Sequence, residues 1–124
     1  MPWILLLLLG VALASWVVTR IGRVSPTEAR RLVAEGALVI DVRSEVEHGV
    51  NPLQGSVNIP LDAIEARILA AVPDKDAPIL LHCQSGGRSG IATRILRGMG
   101  YTRAFNLGSF HAARAVLAEK ARPK

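Results

Sequence analysis

The chain has little of what several classes of small protein require. Its 124 residues contain one cysteine, so no disulfide can form within the chain and a disulfide-stapled secreted domain is excluded. Its three histidines, His48, His82 and His111, are far apart in sequence and form no cluster with the spacing of a metal site. Only five residues are aromatic, too few to alternate with the basic residues in a nucleic-acid interface. The sequence therefore predicts no metal site, no cofactor and no nucleic-acid partner.

Acidic residues are scarce in the C-terminal part of the chain. The last 48 residues contain 8 Lys or Arg and 1 Glu, whereas the first 76 contain 7 basic and 9 acidic residues. Such a basic part suits an anionic small molecule, an anionic membrane or an acidic carrier protein, although solvated helix faces explain the charges equally well. The residues that could make these contacts are Arg94, Arg97, Arg103 and Arg114.

One long apolar run lies at the N-terminus. From Trp3 to Val18 there are 16 residues without a charge, with a tryptophan near each end, as in segments that meet both membrane interfaces. At about 1.5 Å per residue, the run spans a hydrocarbon core of about 30 Å only if Ile21 is included and Arg20 snorkels to the interface. The sequence thus predicts a single membrane helix that contacts the membrane over residues 3–21.

Two other interpretations of this run remain open. The sequence Ala-Leu-Ala at residues 12–14 offers a cleavage site for a signal peptide, although no basic stretch precedes the run. A core helix fits less well, because the run is apolar all round. We therefore predict a membrane anchor or signal peptide over residues 1–22 and one domain over residues 23–124. A cleaved leader would imply export of the domain.

The charges that flank an anchor predict its orientation. Arginines follow the run, whereas only the terminal amine precedes it, so the positive-inside tendency places the domain in the cytoplasm. A free thiol agrees with such a reducing compartment. These arginines are Arg20, Arg23, Arg30 and Arg31.

Beyond the run, short apolar strands alternate with helices. Ser25 followed by Pro26 and Glu28 has the pattern of a helix start with a capping box, and Gly36 is placed to end that helix. Unbroken apolar runs with β-branched members indicate strands buried on both faces. The predicted strands cover residues 37–40, 56–59, 78–82 and 104–106, and the predicted helices cover residues 26–35, 44–48, 60–71, 89–99 and 109–120. This order predicts an α/β domain with a parallel sheet, helices on both faces and a ligand site beyond the carboxyl ends of the strands.

The cysteine lies at one of these strand ends. Cys83 precedes two glycines and a predicted helix start, so backbone N–H groups and the helix dipole can lower the pKa of its thiol and hold an anion. Gly86 and Gly87 allow the amides to converge on the sulfur, and Arg88 adds a planar cation suited to an oxyanion. Each feature alone also fits an ordinary turn or a buried thiol, but together they predict an activated thiolate beside an anion pocket.

The length of this loop separates two reaction classes. In protein tyrosine phosphatases, five residues lie between the cysteine and the arginine. Here only four residues, Gln84, Ser85, Gly86 and Gly87, lie between Cys83 and Arg88. The tighter ring suits a sulfur atom bonded to the cysteine better than a tetrahedral phosphate. The count favours sulfur transfer over a cysteine-dependent phosphatase or arsenate reductase.

The sequence resembles the rhodanese-like sulfurtransferase family over nearly all of residues 24–118. The matching motifs lie at residues 39–43, 55–60, 83–89 and 100–101, and at Asn106-Leu107-Gly108. The resemblance implies a five-stranded parallel sheet between helices. It also implies that the cysteine takes the outer sulfur of thiosulfate or another anionic donor as a persulfide and passes it to a thiol or to cyanide. The resemblance also allows a sulfur-carrier protein as a partner. The remaining alternative is a non-enzymatic interaction module on the same fold.

The resemblance assigns roles to individual residues. It implies that Cys83 is the nucleophile and Arg88 a substrate-orienting cation. The cradle around the sulfur would consist of Gln84, Ser85, Gly86, Gly87 and Ser89. By contrast, Asp41 and Arg43 are interpreted as a structural pair and His82 as a packed, hydrogen-bonded histidine, whereas His48 and His111 have no assigned role. Residues 51–54 differ from the Gly-His-Ile-Pro sequence of many family members. This difference bears on the local structure more than on the activity.

Overall fold

The computed structural model describes residues 1–121. Within these residues, six α-helices alternate with four β-strands. The helices are α1 (Pro2–Arg20), α2 (Pro26–Glu35), α3 (Glu45–Val50), α4 (Ile64–Ala71), α5 (Gly87–Gly98) and α6 (Phe110–Ala121). The strands are β1 (Leu38–Asp41), β2 (Val57–Asn58), β3 (Ile79–His82) and β4 (Ala104–Gly108).

The four strands form one parallel sheet in the order β2-β1-β3-β4. Neighbouring residues of the central strands point to opposite faces: Ile40 and Leu81 belong to a core with α4 and α5, whereas Val39 and Leu80 belong to a second core with α2 and α6. The sheet is therefore buried on both faces. This confirms the predicted α/β class with helices on both sides.

The resemblance implied a fifth strand, but the described residues contain four. The segment before α2 makes only an isolated parallel bridge, between Arg23 and Asn106. Two backbone bonds support it: Asn106 donates to the carbonyl of Gly22 at 2.8 Å, and Val24 donates to that of Asn106 at 3.1 Å. This segment lies between Arg20, where α1 ends, and Pro26, where α2 begins, and its sheet pairing is limited to that bridge.

Most helices begin and end near the residues that local sequence signals predicted, with some differences. Ser25 caps α2 by accepting from the N–H of Glu28 at 3.1 Å, and Gly36 ends the helix with φ of 103°. The predicted reciprocal bond of the capping box is replaced, because the Glu28 carboxylate binds Arg31 at 2.5 and 2.9 Å. The helix predicted over residues 60–71 begins as a 3-10 turn over Leu61–Ala63. The helix predicted from residue 89 begins earlier, at Gly87, and β4 and α3 extend beyond their predicted ends.

Helix α1 is exposed along its length but docked at its C-terminal end. Its mean hydropathy is 2.1 and none of its residues is buried, so by length and composition it could span a membrane, as a signal sequence also could. Its last turn packs against α5, where a methyl group on Gly90 would lie 2.4 Å from the carbonyl oxygen of Val18. A glycine at this position therefore lets the two helices approach closely.

Candidate active site

Cys83 lies directly after β3, at the carboxyl end of the sheet. Two backbone bonds to the β4–α6 region fix the start of its loop: the N–H of Cys83 donates to Gly108 at 3.2 Å, and the N–H of Phe110 donates to Gln84 at 3.2 Å. Gly86 then takes φ of +98° as the N-cap of α5, a conformation that favours glycine. The loop therefore returns to the sulfur within a few residues, and the cysteine is only 1% exposed.

The sulfur is held by hydrogen bonds from the predicted loop. The N–H of Gly86 donates to Cys83 Sγ at 3.0 Å, and the hydroxyl of Ser89 lies 3.4 Å from it. Burial raises the pKa of the thiol, but the Ser89 hydroxyl and the N–H groups of Ser89, Gly86 and Ser85 outweigh burial and lower the pKa. The geometry therefore favours a thiolate, the form in which a cysteine is a nucleophile.

The residues named for the cradle differ in their positions. Ser89 and Gly86 are buried and contact the sulfur, whereas the side chains of Gln84 and Ser85 are exposed. Gly87 and Arg88 lie in the first turn of α5, where backbone N–H groups have no partner within the helix. These N–H groups are available to an anion that enters beside the cysteine.

The guanidinium of Arg88 contacts a carboxylate and not the sulfur. It donates to both oxygens of Glu47, at 2.6 and 2.9 Å, with both side chains about one third exposed. Arg88 lowers the pKa of Glu47 to about 2, and Glu47 raises the pKa of Arg88. A cleft of about 290 Å³ opens beside Arg88, bordered by Ser44 and Asp62. Arg88 therefore borders this cleft with its guanidinium already paired with an anion.

Asp41 and Arg43 form the structural pair expected from the sequence. Asp41 accepts from the backbone N–H of Arg43 at 2.9 Å and from its guanidinium at 2.8 to 3.1 Å, with both residues buried. Nδ1 of His48 lies 2.9 Å from the same carboxylate. Burial raises the pKa of Asp41, but the bonds from Arg43 and His48 outweigh it and hold the pKa below its usual value. This network connects β1 to α3, the helix that carries Glu47.

His82 is packed as predicted, but it is not hydrogen-bonded through its ring. Its side chain is fully buried, with the ring of Phe110 edge-on at 6.3 Å between centroids. Among the described residues, neither ring nitrogen has a hydrogen-bond partner. Burial lowers the pKa of His82 to about 4, so the imidazole is neutral near pH 7.

Two residues that contact this site, Glu47 and Asn106, were assigned no role from the sequence. Glu47 was identifiable only as part of the Ser44 to Glu47 capping box of α3, which the structure contains in full. Asn106 is a fully buried side chain that accepts from the Ser89 hydroxyl at 2.7 Å. The sequence placed Asn106 in a family motif but gave it no function.

Comparisons with known proteins agree with this fold and loop. Residues 25–115 match the rhodanese-like domain family. The chain is 44% identical over 69 residues to the thiosulfate sulfurtransferase PspE of Escherichia coli, which covers 56% of this chain and 66% of that protein. It is 32% identical over 95 residues to the thiosulfate sulfurtransferase GlpE of Ectopseudomonas mendocina, which covers 76% and 85%.

A solved structure supports the same assignment. The human single-domain sulfurtransferase TSTD1 superposes with a TM-score of 0.64 at 31% identity, over 74% of this chain and 94% of that one. The superposition agrees with the parallel sheet and with the family match. The chain therefore belongs to the rhodanese-like family of sulfurtransferases.

Proposed function

We propose that this chain transfers a sulfane sulfur through a persulfide on Cys83. The chain is a rhodanese-type sulfurtransferase by family and by its relatives. The observation that supports Cys83 as its nucleophile is the buried sulfur, which accepts from the N–H of Gly86 and lies against Ser89 at the N-terminus of α5. Arg88 and the amides of the loop from Gln84 to Ser89 are proposed to bind the anionic donor and the outer sulfur.

The transfer proceeds in two displacements. The Cys83 thiolate attacks the outer sulfur of thiosulfate, the S–S bond of the donor breaks, and sulfite leaves with the bonding electron pair. The outer sulfur remains on Cys83 as a persulfide, whose negative charge the free N–H groups of Gly87 and Arg88 can stabilise. An acceptor thiolate or cyanide then attacks this outer sulfur and regenerates the Cys83 thiolate. No external oxidant or reductant is required.

Thiosulfate is proposed as the donor because the relatives PspE and GlpE carry it in their names, and because a dianion suits the basic C-terminal part of the chain. A small thiol or cyanide is the proposed acceptor. An acidic sulfur-carrier protein would be drawn to the same basic surface.

Substitution of Cys83 tests this function. The full chain should release sulfite from thiosulfate and cyanide, and should gain the mass of one sulfur atom when incubated with thiosulfate alone. Cys83→Ser should lose both properties, because a serine hydroxyl does not form the persulfide. Full activity in Cys83→Ser, or hydrolysis of an aryl phosphate that depends on Cys83, would contradict the proposal.

We further propose that α1 anchors the domain to a membrane, with the domain in the cytoplasm. At about 1.5 Å per residue, the 16 exposed residues of α1 before its docked last turn extend about 24 Å, most of the thickness of a hydrocarbon core. Trp3 and Trp16 lie near its ends, and the guanidinium of Arg20 lies 5.2 Å from the Trp16 ring centre, as at an interface. Arg23 and the arginines of α2 follow the helix, which favours the cytoplasmic orientation.

A further inference from the structure

The side chain of Asn106 connects the end of α1 to the cysteine loop. Its amide nitrogen donates to the carbonyls of Ile21 at 3.0 Å and Gly86 at 3.1 Å, and lies 3.4 Å from that of Thr19. Its amide oxygen accepts from the Ser89 hydroxyl at 2.7 Å and from the N–H of Gly108 at 2.9 Å. The side chain is fully buried, so each of these bonds is protected from competition with water.

Both groups that contact the sulfur are held by this one side chain. Gly86 offers its carbonyl to Asn106 and donates its N–H to Cys83 Sγ at 3.0 Å. Ser89 donates its hydroxyl to Asn106 and lies 3.4 Å from the same sulfur. A shift of Asn106 would therefore move both partners of the thiolate.

The last turn of α1 fits tightly against this arrangement. A methyl group built on Gly90 of α5 would lie 2.4 Å from the carbonyl oxygen of Val18, 3.3 Å from the Asn106 nitrogen and 3.4 Å from Ile21. Gly86 itself lies against the carbonyl of Thr19, with 3.4 Å to the position of an added methyl. The helix end thus contacts the loop directly and also contacts it through Asn106.

We propose that Asn106 is a positioning residue for sulfur transfer, through which the last turn of α1 sets the positions of Gly86 and Ser89 around the Cys83 sulfur. The proposal rests on the proposed role of Cys83 as the nucleophile. Its consequence is that the apolar N-terminal helix does more than tether the domain, because its final turn is part of the active-site framework.

The substitution Gly90→Ala tests this coupling without changing a group that contacts the sulfur. Alanine is the better helix former, so the contacts of its methyl group with Val18 and Asn106 account for any loss. We expect the displaced turn to release the Gly86 N–H from the sulfur. The pKa of Cys83 should then rise by about one unit, with about tenfold less thiolate below the pKa and a similar loss in kcat/KM. Gly98→Ala on the same helix is the matched control, because its methyl group would meet nothing within 4 Å.

The readout is the pH dependence of Cys83 alkylation by iodoacetamide, measured on the full chain in detergent micelles together with kcat and KM for thiosulfate. Circular dichroism and thermal unfolding establish that each variant is folded. A folded Gly90→Ala whose alkylation profile matches that of Gly98→Ala would overturn the proposal. Cys83→Ser would still be inactive in that case, so the two proposals fail separately.

A second variant keeps the test decisive if Gly90→Ala does not fold. Asn106→Ala removes the side-chain amide that holds the Gly86 carbonyl and the Ser89 hydroxyl, so it should also raise the pKa of Cys83. A folded Asn106→Ala with the alkylation profile of the wild type would overturn the connection through Asn106.

Discussion

Arg88 has two anionic partners, the carboxylate of Glu47 in the structure and the sulfur donor in the proposed reaction. In the structure its guanidinium binds both oxygens of Glu47, which lies 41 positions earlier in the chain. In turnover, we propose that it also orients the anionic donor at the cleft beside it. A planar guanidinium with five donors can serve both anions, because two donors engage Glu47 and others remain. The pair with Glu47 also fixes the side chain, which reduces the entropy lost when the donor binds.

Two single substitutions separate these roles. If Arg88 orients the donor, Arg88→Gln should raise KM for thiosulfate about tenfold, the loss expected for one charge-assisted hydrogen bond. Glu47→Gln should leave KM the same or lower it, because Arg88 keeps its charge and loses a competing anion. Steady-state kinetics over a range of thiosulfate concentrations measure both effects. Equal increases in KM for the two variants would mean that Arg88 acts only through its contact with Glu47.

His82 makes the stability of the domain depend on pH in a defined window. Burial lowers its pKa from 6.5 to about 4, so the unfolded chain binds a proton at a pH where the folded chain does not. Stability is therefore complete above pH 6.5 and falls as the pH decreases towards 4, by about 1.4 kcal/mol per unit and about 3 kcal/mol in total. Glu47 and Asp41 have lowered pKa values, so their contributions are lost at more acidic pH.

Urea unfolding of the wild type at pH 7 and at pH 4.5 should show this loss of stability. His82→Leu fills a similar volume without a titratable group, and its free energy of unfolding should change much less between the two values of pH. His111→Gln, at an exposed position, is the control and should behave as the wild type. A His82→Leu variant with the slope of the wild type would show that another group is responsible.

Among the elements, α3 is held by polar contacts and not by a core. None of its residues is buried, and its apolar residues Val46 and Val50 are 76% and 81% exposed. Its position depends on His48 against Asp41, on Glu47 with Arg88, and on Arg43, which donates to the carbonyl of Asn51 at 2.7 Å. An element with so little buried apolar surface opens locally at low free-energy cost. The partner of Arg88 is therefore carried by the least anchored helix next to the cleft.

Asp41→Asn should release this helix. The substitution leaves the buried Arg43 charge without its carboxylate, which costs about 3 to 5 kcal/mol. Chemical denaturation should show this loss, and amide hydrogen exchange should rise in α3 before it rises in α5. Asp76→Asn removes an exposed carboxylate and should change neither measurement. Protection of α3 equal to that of the wild type in a folded Asp41→Asn would mean that other contacts hold the helix.

The elements that the sequence predicted well are those with local signals. Two of the four strands, β1 and β3, follow from unbroken apolar runs, and α2 follows from Ser25, Pro26 and Gly36, because these patterns depend on neighbouring residues. The loop from Cys83 to Ser89 was found in the same way. The partners that complete the site were not, because Glu47 reaches Arg88, and Asn106 reaches Ile21 over 85 positions, only when strands and helices meet at one end of the sheet. The residues around the proposed nucleophile are close to it in sequence, whereas the side chains that support it come into contact only through tertiary packing.

At the scale of the whole molecule, the proposed anchor places the active site close to the membrane surface. The exposed apolar length of α1 ends at Val17, and Val18, Thr19 and Ile21 already contact α5, Gly86 or Asn106. Gly86, which donates to the sulfur, lies against the carbonyl of Thr19. The end of the proposed anchor is therefore connected to the sulfur by a few hydrogen bonds and direct contacts, with no flexible linker between them. A donor or acceptor would reach Cys83 at the interface and not in the bulk of the cytoplasm.

Membrane insertion can be tested by placing a charge at the centre of α1. Leu8→Arg should reduce the fraction of the chain that resists alkaline extraction from membranes, because an arginine at the helix centre costs about 2.5 to 3.5 kcal/mol on insertion. Val46→Arg adds the same charge at an exposed apolar position of α3 and should leave extraction unchanged. In sealed vesicles with the cytoplasmic face inside, trypsin should cut the domain only after permeabilisation. An intact mass without the first residues of α1, or digestion before permeabilisation, would contradict a cytoplasmic domain on a retained anchor and would favour export after cleavage.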